Sequence, residues 1–113
     1  MLNECKQALR ITATVYDGDL CSLMDAGAKD LTIAGVVLPG TVAFQTTNQG
    51  IVDSSTLTDA LCMRAIFTYV RMNFGSPDDY ERLQEAYHTQ KVQLMHASDY
   101  TDYDGEDEND GES

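Results

Sequence analysis

Residues 56–74, TLTDALCMRAIFTYVRMNF, are apolar almost all round when drawn as a helix. Leu57, Ala60, Leu61, Cys62, Met63, Ala65, Ile66, Phe67, Tyr69, Val70, Met72 and Phe74 leave few polar positions. A helix of that kind must be covered on most sides. The chain has 113 residues, room for one domain with a small core. The expectation is that neighbouring subunits complete the cover.

The run ends at a well-signed corner. Gly75 stands where a helix takes a left-handed cap. Ser76 fits the next N-cap, Pro77 the first helical position, and Asp78 and Asp79 the first turn. A second helix follows to about Met95. Tyr80, Leu83, Tyr87 and Leu94 lie near one stripe, and Glu81, Arg82, Glu85, Gln90, Lys91 and Gln93 fill much of the rest. That pattern predicts an outer, amphipathic helix lying on the inner one.

Earlier in the chain, Asn3 can cap a short helix from Glu4 to Leu9, with Leu2, Cys5 and Leu9 on one side. The β-branched residues of segment 10–16 predict a linker. Asp17-Gly18-Asp19 opens a helix to about Asp30. Its stripe is Leu20, Leu23, Met24, Gly27 and Leu31, and Gly27 allows another helix to approach. Segment 32–55 holds two β-prone runs separated by turn residues, and reads as a hairpin or an extended loop. It is either a binding loop or a surface connection. Thr56 fits the cap of the inner helix, with Asp59 completing an imperfect capping box.

The fold class expected is mainly α. It is a small helical bundle with an inner apolar helix, an outer amphipathic helix, a possible short β-hairpin or long loop, and a disordered acidic C-terminal tail. Residues 1–98 form the helical domain, with a non-helical insert at about 36–53, and residues 99–113 form the tail.

Charge separates the two parts. The net charge is −12 from 19 acids and 7 bases. Asp99, Asp102, Asp104, Glu106, Asp107, Glu108, Asp110 and Glu112 crowd into the tail, leaving eleven acids against seven scattered bases in the body. Direct clamping of nucleic acid needs clustered Lys and Arg, so that class is excluded. The tail has too little apolar surface to offset the entropy of ordering. Tyr100 and Tyr103 are its exceptions: they either anchor in a partner's groove or pack back on their own domain.

Chemistry is not signed anywhere. Asp17/Asp19 and Asp78/Asp79 sit at helix starts, where carboxylates belong without catalysis. His88 and His96 are too far apart for paired ligands on one helix and are expected to face solvent. The tail lacks the ordered spacing of a calcium loop. Cys5, Cys21 and Cys62 form no CxxC and sit in apolar patterns, as reduced packed thiols do. The expectation is no catalytic residue, no cofactor and no metal. No apolar run is long enough to span a bilayer, and MLNECKQALR has no signal-peptide layout. A soluble protein of a cytoplasm-like compartment is expected.

Several short motifs occur in a recognisable order: Leu9-Arg10-Ile11-Thr12, Asp30-Leu31-Thr32-Ile33-Ala34-Gly35-Val36, Tyr69-Val70, Asn73-Phe74-Gly75, Pro77-Asp78-Asp79 and Gln93-Leu94-Met95. Together they resemble the head–tail connector (adaptor) family of tailed bacteriophages, also labelled DNA-packaging proteins, over most of residues 4–102. Segment 38–53 is of variable kind in that family, and the acidic tail departs from its usual plan. The resemblance implies a structural virion protein, made in the host bacterial cytoplasm, that forms a twelve-copy ring under the portal. The ring extends the channel through which DNA passes without sequence-specific binding, and supports stopper or tail-completion proteins. The C-terminal segment of similar adaptors reaches into the portal, which implies a portal contact at Asp99, Tyr100, Thr101, Asp102 and Tyr103. The alternative is an acidic DNA mimic that occupies a nucleic-acid-binding protein. A mimic needs carboxylates arrayed over its folded surface, and here they crowd into the tail.

Overall fold

Four helices and one hairpin follow from these patterns. The computed structural model describes residues 1–75, 77–97 and 100. Of the expected acidic tail, Tyr100 alone is among the described residues; Asp99, Thr101, Asp102, Tyr103 and the rest of it lie outside them, as do Ser76 and Ser98. Helix α1 spans Leu2–Leu9, a single 3₁₀ turn Thr14–Tyr16, α2 Asp17–Ile33, α3 Ala60–Asn73 and α4 Tyr80–His96. Strands β1 (Phe44–Thr47) and β2 (Gly50–Asp53) form an antiparallel hairpin within the insert, with Phe44 opposite Asp53 and Thr47 opposite Gly50. Of the two readings of segment 32–55, the hairpin is the one observed.

Helix α3 runs between α2 and α4 and antiparallel to both. At one end the Tyr16 ring meets Phe74 edge-on at 5.3 Å. Midway, Gly27 of α2 faces Tyr69, whose ring carbon would lie 3.1 Å from a Cβ placed there. Gly27 therefore permits the close approach its place in the stripe suggested. At the far end, Tyr100 joins the loop after α2 to the start of α3. Leu20, Met24 and Leu31 of α2, Cys62, Ala65, Ile66 and Val70 of α3, and Leu83, Tyr87 and Leu94 of α4 form the buried core with Cys5. Burial of the Leu, Ile, Val and Met side chains among them supplies roughly 1.5–3 kcal/mol each.

Helix ends correct the sequence reading in four places. Met1, not Asn3, precedes the first residue of α1. Helix α2 continues past Asp30 to Ile33, where Gly35 (φ +102°) closes it. The Gly35 and Val36 N–H groups donate to Thr32 O and Leu31 O, a paired capping pattern that satisfies the last carbonyls. Asp59, not Thr56, caps α3 by accepting from Cys62 N–H at 3.0 Å. Thr56 is drawn away instead: its hydroxyl accepts from Thr41 N–H at 2.8 Å. Helix α4 begins at Tyr80 rather than Pro77, because Asp78 and Asp79 complete the turn and Leu83 N–H is the first to reach back to Asp79 O. Gly75 does take the left-handed conformation, φ +71°.

The largest correction concerns α3. The chain itself covers most of it: Cys62, Ala65, Ile66 and Val70 are fully buried, and of its large apolar residues only Leu61 is markedly exposed, at 47%. Its open strip is Leu61, Arg64 and Arg71, with half-buried Thr68 between the two arginines, so that successive residues are about one turn apart. Arg64 and Arg71 were the signal that this face needs no cover. The apolar surface that the chain leaves open lies elsewhere.

Candidate interaction surfaces

Among the described residues, four of the seven exposed large apolar side chains, including the two most exposed, lie at the two ends of α2; Val52, Leu61 and Tyr80 stand apart from them. At the start of α2, the β-branched residues before Asp17 break the chain into a 3₁₀ turn, which holds Val15 78% exposed and Tyr16 half-exposed. Tyr16, Leu23 and Phe74 line a groove of about 620 Å³ together with Asp19, Ser22, Asn73 and Gly75. At the end of α2, Ile33 is 85% exposed, one residue before the C-cap. Lys29 lies one turn back on the same face, its one ion-pair partner among the described residues being an exposed Asp25 at 3.5 Å. Val37 is exposed beyond the cap.

Tyr100 is the one residue of the expected portal contact that can be placed. It packs against its own domain. Its carbonyl accepts from Val37 N–H at 2.6 Å, and its hydroxyl donates to both Asp59 oxygens at 2.9 and 3.1 Å. The Cys62 N–H is the chief cause holding the Asp59 carboxyl below its ordinary pKa; Tyr100 adds to it. Leu61, Arg64, Leu94 and Ala97 surround the Tyr100 side of this end.

The remaining polar contacts tie elements together. Tyr87 and Lys91 of α4 donate to the Asp30 carboxylate of α2 at 2.5 and 3.2 Å. Burial opposes the ionised form of Asp30, but these two bonds outweigh it and its pKa falls. Asp53 of β2 accepts from the Met1 amino group at 2.7 Å and from Leu2 N–H at 2.9 Å. Burial again opposes, yet those bonds and two from Ser55 bring Asp53 down to about 2. Arg71 donates to Ala8 O at the end of α1.

The three thiols are buried and unpaired with one another. Burial pushes Cys5 and Cys21 up to about 11 and Cys62 up to about 12, which suppresses thiolate chemistry. His88 and His96 are exposed. Among the described residues no cluster of three or more His, Cys, Asp or Glu side chains could hold a metal. Among them, too, no helix is long and apolar enough to cross a membrane.

These positions give the sequence motifs a physical meaning. Leu9-Arg10-Ile11-Thr12 is the end of α1, where Arg10 is left-handed (φ 58°) and Ile11 N–H reaches back to Lys6 O. Asp30 fastens α4, and Gly35 closes α2. Tyr69 fills the space Gly27 leaves, Val70 is core, and Gly75 turns the chain. A family model described as phage connector protein matches residues 1–101, and the chain belongs to that family. No curated protein and no solved structure matched it. Phage connectors are structural components of the virion, which accords with a molecule whose open features are surfaces.

Proposed function

We propose that this chain is a head–tail connector (adaptor) subunit that assembles as a twelve-copy ring beneath the portal. The ring extends the DNA channel and offers a platform for stopper or tail-completion proteins. The observation that carries this reading is the family match over residues 1–101. Supporting it, apolar residues stay open at both ends of α2, as expected of a subunit that buries surface against others. Acids outnumber bases in the body, which disfavours sticking of DNA to a channel wall. The role is mechanical, with no chemical step assigned to any residue.

The portal contact belongs to Asp99, Tyr100, Thr101, Asp102 and Tyr103. Tyr100 leaves Asp59 and Val37 when the portal is engaged, exposing the start of α3. Native mass spectrometry of the full chain with and without the portal of the same phage tests the reading. Addition of a closed set of copies to the portal is expected. A strict monomer that ignores the portal and binds a cellular nucleic-acid-binding protein would overturn it in favour of a DNA mimic.

A further inference from the structure

The two open ends of α2 match each other. Ile33 and Lys29 stand four residues apart on one face of its last turns, an apolar knob with a cation behind it. Leu23 and Asp19 stand four residues apart on its first turns, an apolar wall with an anion behind it. Both pairs are separated by about 6 Å along the helix axis. Asp19 has no ion-pair partner among the described residues, and Lys29 has only its loose contact with Asp25. Exposed pairs of that kind are easily exchanged.

We infer that the occupant of the Tyr16–Leu23–Phe74 groove is Ile33 of a second copy of this chain, with Lys29 of that copy facing Asp19. The charges choose the direction. In a parallel, staggered arrangement Lys29 meets Asp19 and Ile33 meets Leu23. Reversing one helix sets Lys29 against Leu23 and Ile33 against Asp19, which buries a charge without a partner. The two faces are different surfaces of one molecule, so the contact is heterologous: each copy offers a knob to one neighbour and a groove to the other. Such a contact extends until rotation closes it. The inference rests on the reading of the chain as a ring subunit and names the surface through which the ring grows.

All the side chains to be changed are exposed, so the variants should fold. Self-association of the full chain is followed by sedimentation velocity over a concentration series. Ile33→Asp should weaken it about tenfold or more, given the apolar area lost. Lys29→Glu and Asp19→Lys should each weaken it several-fold, and combining both in one chain should restore it, because the pair is attractive again. An equimolar mixture of the two single variants should also associate, since every contact between unlike chains joins opposite charges. Wild-type chain that stays monomeric throughout overturns the inference, as does a double variant no better than the singles. Assembly on the portal that is indifferent to Ile33→Asp removes this contact while leaving the connector reading intact; loss of portal assembly by every version, wild type included, counts against the connector reading itself.

Discussion

The Tyr100 hydroxyl donates to both carboxylate oxygens of Asp59, at 2.9 and 3.1 Å, so the residue that caps α3 also holds the end of the described chain. One side chain thereby joins a local element signal to a contact forty-one positions away. Tyr100→Phe removes only the hydroxyl and should cost about 1 kcal/mol. Asp59→Ala removes the cap as well and should cost about 2 kcal/mol. Urea denaturation of both variants and of the double variant measures the coupling. Strict additivity of the two would mean that the bond contributes nothing in solution.

Acid should loosen the molecule through Asp53, Asp30 and Asp59, whose pKa values are all depressed in the folded chain. A depressed carboxylate contributes stability above its unfolded pKa and loses it as pH falls through the folded value. For Asp53 that window runs from the usual carboxylate range down to about 2. The Asp53 side chain is still partly open to solvent, so screening reduces its share to about 1 kcal/mol. Asp53→Asn should therefore lower the urea midpoint at pH 7 and flatten the loss of stability as the pH falls from about 5 to about 2. An unchanged pH profile would show that the tie of Met1 to the hairpin is not populated.

Two glycines should respond differently to substitution. A Cβ at Gly40 would lie 2.7 Å from the Leu57 Cα, against backbone that cannot give way. Gly40→Ala should cost roughly 1–3 kcal/mol. At Gly27 a Cβ would lie 3.1–3.3 Å from the Tyr69 Cδ1, Cγ and Cβ, so Tyr69 has to shift by only a few tenths of an ångström, and alanine is the better helix former by roughly 0.5–1 kcal/mol. Gly27→Ala should be close to neutral. Thermal melts that rank them the other way would mean that Gly40 does not pack on the Leu57 backbone.

At the corner, Gly75→Val should cost more than Pro77→Ala. A β-branched residue resists φ +71°, whereas Pro77 lies outside α4 and donates nothing to it. Equal denaturation midpoints would contradict a left-handed residue at 75.

Cys5, Cys21 and Cys62 should resist a thiol reagent at pH 8. Their pKa values of about 11 to 12 leave little thiolate, and all three side chains are buried. Labelling should track global unfolding; faster stoichiometric labelling of the folded chain would place a thiol at the surface.

What the sequence made legible was the local grammar. The Leu20–Met24–Gly27–Leu31 stripe, the acidic start at Asp17 and the turn at Gly75 are written within a few residues of where they act. The end of α2 is equally local: Gly35 followed by an apolar residue is a stop signal, masked by the β-prone run around it. The start of α3 was not local. Thr56 and Asp59 are both good caps, and the choice rests on Thr41, fifteen positions earlier, taking the Thr56 hydroxyl. The open surface was misplaced for a related reason. Counting apolar residues around α3 hid the Arg64–Arg71 strip, and no pattern inside α2 reveals that Ile33 falls beyond the reach of α3 and α4. Asp30 was readable as the first residue of a motif, but its bond to Tyr87 joins residues fifty-seven positions apart.

The most direct test of a connector role is to interrupt translation of this chain with an amber codon near its start, in the phage that encodes it. Electron microscopy of a non-suppressing infection should reveal DNA-containing or leaking heads and separate, complete tails, and wild-type chain supplied in trans should restore joined particles. Infectious, fully assembled virions made without this chain would contradict the role outright.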